Sequence, residues 1–173
     1  YSALNDAFID QGFLGDGSWN TMTLTPDGKH AFVADWNLDS QGGKVVHVNL
    51  QTMTLGNSYS PINLPHATCY MHSDSALYVS LEDDNKIFRF NFHGDPNFTF
   101  LVNDPPDVIF LPVGDKPHDI IFTPDESKYF VNCAGNNMVR IFQSSNDSLI
   151  ASVPVGRQPR ELAISHTFPY VFV

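Results

Sequence analysis

The sequence predicts an all-β chain built as a β-propeller, with about three and three-quarter blades of four antiparallel strands each. Three observations predict it: a repeated anchor motif, a fixed spacing of strand-like runs after each anchor, and a scarcity of helix formers in any run. Gly or Pro interrupts the chain every few residues, and fourteen Phe help raise the aromatic content to 13%. Short β-prone runs between such turn residues are the mark of an all-β domain.

The clearest repeat pairs Leu111-Pro112-Val113-Gly114-Asp115-Lys116-Pro117 with Val153-Pro154-Val155-Gly156-Arg157-Gln158-Pro159, 42 residues later. Fixed periods of this length signal repeat architectures, propellers among them. Taking the last Pro as an anchor, Pro65, Pro117 and Pro159 are each followed five residues later by Tyr70, Phe122 and Ile164. Nine residues further on stand Val79, Val131 and Val173. Leu24 and Val33 keep that spacing of nine and put Trp19 at the anchor position. The anchors at 19, 65, 117 and 159 are thus 46, 52 and 42 residues apart. A sandwich of unrelated hairpins would not keep four copies in one register.

Each unit reads as one blade. A short first strand, such as Met22 to Leu24, leads into Thr25-Pro26-Asp27-Gly28 or Thr123-Pro124-Asp125-Glu126. Pro presets φ for such a turn, and Gly accepts the positive φ that closes it. The second strand carries an aromatic-Val pair: Phe32-Val33, Tyr78-Val79, Phe130-Val131, Phe172-Val173. A polar hairpin precedes an alternating third strand, Lys86 to Phe92 or Met138 to Phe142. A fourth, such as Leu149 to Val155, returns the chain to the next anchor. Four strands in 40 to 50 residues make a blade. Ala7 to Leu14 is expected as an outer strand, and the last unit stops on its second strand at Val173. The whole of residues 1–173 is therefore expected to be one propeller segment. Further blades, or a second chain, are expected to close the ring, because an open end leaves strand edges unpaired.

These motifs resemble the YVTN-type β-propeller repeats of bacterial and archaeal surface and periplasmic proteins. The third unit carries the pattern best, with Val113-Gly114, Pro117, Thr123-Pro124-Asp125, Phe130-Val131-Asn132 and Asn137-Met138-Val139. The first keeps Thr25-Pro26-Asp27-Gly28 and Phe32-Val33-Ala34-Asp35. The second departs at His72-Ser73-Asp74, and the fourth at His166-Thr167-Phe168-Pro169. The resemblance implies a funnel-shaped ring of about seven blades outside the cytoplasm: periplasmic, on the cell surface or secreted. Propellers with similar blades include lactonases, haem d1-type domains, amine-dehydrogenase propellers and adhesive scaffolds, so fold likeness alone selects no activity.

Bulk properties narrow the partners. The formal net charge is −10 and the isoelectric point about 4.8, which disfavours a phosphate backbone as partner. No run of 18 apolar residues is present, so no membrane-spanning helix is expected. The chain opens at Tyr1 rather than Met, which fits a removed leader or an excerpt from a longer chain. Cys69 and Cys133 fall on different strands of different blades, and no disulfide is expected between them. Asn97 and Asn146 begin glycosylation tripeptides, which matter only in a eukaryotic secreted protein.

The register also aligns polar residues. The position after each anchor holds Asn20, His66, His118 and Arg160, expected to ring the mouth of the central channel. Such a set suits an anionic ligand, the His pair suits a metal, and the plain structural role is to hydrogen-bond the crossover loops. Asp119 is a candidate to orient the His118 ring. Asp35, Asn37 and Asp39 alternate like the opening of a calcium loop, but Ser40 stands where its Gly belongs and no Glu closes it. Glu82-Asp83-Asp84-Asn85 reads as a polar turn. No G-x-S-x-G, P-loop, H-E-x-x-H or c-type haem motif is present. The expectation is a binding scaffold for a protein, glycan or small anionic ligand at the channel mouth, with no cofactor. Calcium or a His-bound metal is the variant of that expectation. The alternatives are an enzyme domain of lactonase or redox-cofactor type and a structural module of a surface array.

Overall fold

A computed structural model describes residues 18–36, 42–101 and 104–173. The region expected as an outer strand, residues 7–14, lies outside them, as do Asn37 and Asp39. The described residues form strands and turns with no helix.

Blade 1 comprises β1 (Trp19–Leu24), β2 (His30–Asp35), β3 (Gly43–Asn49) and β4 (Thr54–Ile62), hydrogen-bonded in that order. Blade 2 comprises β5 (Pro65–Met71), β6 (Ala76–Leu81), β7 (Lys86–Asn91) and β8 (Asp107–Phe110). Blade 3 comprises β9 (Pro117–Phe122), β10 (Lys128–Cys133), β11 (Met138–Gln143) and β12 (Ser148–Pro154). Blade 4 contributes β13 (Ala163–Ile164) and β14 (Val171–Phe172) as a two-stranded sheet. All pairings are antiparallel. The chain is therefore a partial β-propeller whose sheets do not close into a ring.

The turn chemistry shows why the first hairpins form. Thr25 Oγ1 donates to Asp27 Oδ1 at 2.6 Å, and the same oxygen accepts the Lys29 amide at 3.1 Å. Thr123, Asp125 and Ser127 repeat this at 2.6 and 3.1 Å. Gly28 takes φ +67° at the position where Glu126 takes +53°. The second site tolerates that left-handed conformation while the Glu126 carboxylate accepts the amides of His72 and Ser73 at 2.8 and 2.7 Å, tying blade 3 to blade 2.

Aromatic side chains fill the spaces between sheets. Phe32 stacks with Phe92 at 5.3 Å and meets Phe98 edge-on at 5.4 Å, within the core shared by blades 1 and 2. Tyr78, Phe122, Tyr129 and Phe142 do the same between blades 2 and 3. The aromatic-Val strands carry these rings: Phe32 and Tyr78 are fully buried, while Phe130 is half-buried and Phe172 exposed. Phe130, Val139 and Val153 line an apolar groove of about 130 Å³ with Val171 of the two-stranded sheet. Blade 3 is pinned internally by Asp115, fully buried, whose carboxylate takes Arg140 Nε and Nη2 at 2.9 and 2.7 Å and Asn136 at 2.8 Å.

Candidate functional site

The first strand of each complete blade begins with the same irregularity. Trp19 pairs with Asp35 and Met22 with Val33, so Asn20 and Thr21 together face Ala34. In blade 2, His66 and Ala67 face Ser80. In blade 3, His118 and Asp119 face Asn132. Two residues opposite one is a β-bulge, which bends a strand and re-aims its side chains. The residue after the anchor is thereby turned out of the usual alternation.

Two of these bulges are fastened by the residue opposite. Ser80 Oγ accepts the Ala67 amide at 2.9 Å and donates to the His118 carbonyl at 3.0 Å. Asn132 Oδ1 accepts the Asp119 amide at 2.5 Å. Ala34 of blade 1 has no group to do this. There Thr21 accepts the Thr68 amide at 3.1 Å and donates to the His66 carbonyl at 2.8 Å.

A chain of bonds then runs from blade to blade. Thr21 Oγ1 donates to the His66 carbonyl, His66 Nδ1 to the His118 carbonyl at 3.1 Å, and His118 Nδ1 to the Arg160 carbonyl at 2.9 Å. A carbonyl only accepts, so Nδ1 of both rings carries the proton and Nε2 of both presents a lone pair. Arg160 Nη1 donates to His118 Nε2 at 3.0 Å, consistent with that tautomer. The two imidazoles are buried, with centroids 3.4 Å apart at 44°.

The electrostatics agree with two neutral rings. Burial, then the neighbouring His118 and Arg160, pushes His66 down to about 4. Burial also holds His118 below its ordinary value, and the Arg160 guanidinium adds to the effect. Asp119 is pushed up to about 6, chiefly by burial, against the pull of the Leu162 and Ile120 amides.

Of the four residues expected at the channel mouth, His66, His118 and Arg160 come together. Asn20 is exposed on β1, and the contact to blade 2 passes to its neighbour Thr21. Asp119 turns away from the ring it follows: its oxygens accept the Ile120 amide and, across to blade 4, the Leu162 amide, both at 2.8 Å. The Arg160 carbonyl orients His118 instead. Asp35 ends β2 fully buried, its Oδ1 accepting the Ser18 amide at 2.8 Å and its Oδ2 lying 3.6 Å from Lys44 Nζ.

Sequence reasoning passed over Glu82. One nitrogen each of His66 and His118 and one Glu82 carboxylate oxygen lie within 4.8 Å of one another. Glu82 stands 17 residues after its anchor, as Trp36 and Ala134 do after theirs. Trp36 likewise reaches the site, its ring 6.3 Å from that of His66. Arg160 also lines, with Arg157, Gln158 and Val173, a recess of about 480 Å³.

No family model matches the sequence, and no curated protein does. Solved structures do match in fold. Hydrazine synthase of Kuenenia stuttgartiensis superposes with a TM-score of 0.70 at 19% identity, over 95% of this chain and 42% of that one. A putative 6-phosphogluconolactonase from Bacteroides fragilis gives 0.68 at 17%, over 95% and 50%. The periplasmic gluconolactonase of Pseudomonas aeruginosa gives 0.63 at 15%, over 82% and 43%. The chain spans half or less of the length of each of these proteins. Likeness at such identities bears on architecture alone, and on architecture the sequence, the structure and the similar folds agree: this chain consists of β-propeller blades.

Proposed function

We propose that the chain is part of an extracytoplasmic propeller that binds a small anionic ligand, one bearing a carboxylate or phosphate, at the mouth of its channel. The observation that carries this is the placement of Arg160. Its guanidinium rests on the Nε2 of a buried, neutral His118 and borders a recess shared with Arg157. Only nine Lys and Arg occur among 173 residues of net charge −10, so two in one recess make a local exception to a negative surface. Arg suits such a ligand because its planar fork pairs with carboxylate and phosphate oxygens. The extracytoplasmic setting is supported by the repeat pattern and by the periplasmic protein among the similar folds.

The test is calorimetric titration of the protein with inorganic phosphate and with sugar acids, alongside Arg160→Ala. Saturable binding lost in the variant supports the reading; no binding, or binding indifferent to Arg160, refutes it.

A lactonase-type enzyme is the second reading. Two proteins of similar fold carry lactonase names, and the products of such chemistry are sugar acids. His66, with a lone pair on Nε2, could serve as base, and the neighbouring Arg160 guanidinium as oxyanion partner. A lactone-hydrolysis assay decides it: turnover lost in His66→Gln supports an enzyme, and an inert protein that still binds sugar acids supports the scaffold.

A further inference from the structure

The geometry points to a transition-metal site at the bulges of β5 and β9, with His66 Nε2, His118 Nε2 and a Glu82 carboxylate oxygen as its ligands. This inference does not rest on the anion-binding reading; it uses the ring nitrogens rather than the guanidinium of the same cluster. The ion would be a borderline divalent cation of the zinc or copper class, for which two imidazoles and one carboxylate are apt donors.

Three independent features favour it. One nitrogen of each ring and one Glu82 oxygen lie within 4.8 Å of one another, and the carbonyl bonds at Nδ1 of both rings leave Nε2 as the nitrogen able to ligate. In a tetrahedral zinc site donor atoms stand about 3.3 Å apart, as bond lengths of about 2.0–2.2 Å require. Closing that difference asks for small side-chain adjustments, for which the half-buried Glu82 has room. The tautomers are also right. Metal-bound imidazoles characteristically donate their other N–H to a carbonyl or carboxylate, which fixes the ring and raises its basicity. Both rings here already do so, through the carbonyls of His118 and Arg160. Finally, the donors sit on paired backbone rather than loop tips. His66 and His118 are held in bulges whose amides Ser80 and Asn132 fasten, and Glu82 leaves β6 with its amide directed to the Leu64 carbonyl.

Arg160 Nη1 donates to His118 Nε2, the atom proposed to ligate. Its side chain belongs to an exposed residue and can swing out, so it acts as a competitor to the metal. Removing it should therefore strengthen metal binding, the reverse of its effect on an anion.

The test is titration of chelator-stripped protein with Zn²⁺ by calorimetry, and with Cu²⁺ by tryptophan fluorescence. Trp36, one of two tryptophans, lies 6.3 Å from the His66 ring and should be quenched by copper. One ion per chain is expected, weakened about tenfold or more by Glu82→Gln, tightened severalfold by Arg160→Ala, and with the copper quench lost in Trp36→Phe. Glu82 is half-buried at a hairpin, so its amide variant should fold, and its thermal melt without metal checks this. Absence of zinc binding in the unaltered protein overturns the inference. So does binding that a folded Glu82→Gln leaves unchanged. Phosphate binding that survives Glu82→Gln and fails in Arg160→Ala would uphold the anion site whatever the fate of the metal site.

Discussion

His66 Nδ1 lies 3.1 Å from the carbonyl oxygen of His118, the residue at its own position one blade later. One bond thus does two jobs. It joins blades 2 and 3 at their innermost strands, and by taking Nδ1 it leaves Nε2 of His66 as the nitrogen with a lone pair. The hydrogen-bonding role expected of this side chain is met, and it is compatible with the proposed chemical one.

The fastening of that contact can be tested through Ser80, which is fully buried and bonded on both sides, to the Ala67 amide and the His118 carbonyl. Ser80→Ala would leave a buried N–H without a partner. We expect a loss of about 1–3 kcal/mol, measured as a lowered denaturant midpoint. A variant as stable as the parent would show the bulge needs no such support.

Blade 3 should depend on Asp115. Its carboxylate is fully buried and holds Arg140 through two nitrogens. Asp115→Ala strands a mostly buried guanidinium, and such losses cost about 3–5 kcal/mol. Replacing both partners with apolar residues of similar size should cost less than the single change. Unfolding curves of the three variants check the order.

Gly56 of β4 allows a close approach. A β-carbon there would overlap the His47 ring, with Nδ1 nearest. That ring cannot retreat, because His30 Nδ1 stands 2.8 Å from its Nε2 and Phe98 and Phe32 pack around it. Gly56→Ala should cost about 1–3 kcal/mol, as overpacking does, read from thermal or chemical unfolding.

Acid should weaken the fold through His47. Burial, and then the nearby His30, holds this imidazole below its ordinary value. In the unfolded chain it takes a proton near pH 6.5, while the folded chain resists until a lower pH. The unfolded state therefore binds more protons in that interval, and stability falls as pH drops below about 6.5. His66 and His118 act in the same sense, so the contribution is the difference in slope between the protein and His47→Gln. The variant's unfolding midpoint should fall less between pH 7 and 5.

Much of the blade pattern was legible in the sequence because turn chemistry and alternation are local. Thr25-Pro26-Asp27-Gly28 and its copy at Thr123 announce their hairpins directly, and the anchors Trp19, Pro65 and Pro117 each begin an innermost strand. Register alone placed His66, His118 and Arg160 together. Asn20 stands exposed on β1, because the bulge of blade 1 has Ala34 opposite it and gives the interblade bond to Thr21. Glu82 was hidden among Asp83, Asp84 and Asn85, where acidic residues look like any solvated turn. Its fixed distance from Pro65 carried the missing signal. The Arg160 contact with His118 spans 42 residues and depends on side-chain direction, which no spacing reveals.

The most direct test is the protonation pattern of the two rings, read by long-range proton–nitrogen correlation NMR on histidine-labelled protein near pH 7. The account predicts that His66 and His118 are both neutral, with Nδ1 protonated and Nε2 bare. A ring protonated at Nε2, or an imidazolium at either position, would contradict the interblade bonds and the site built on them.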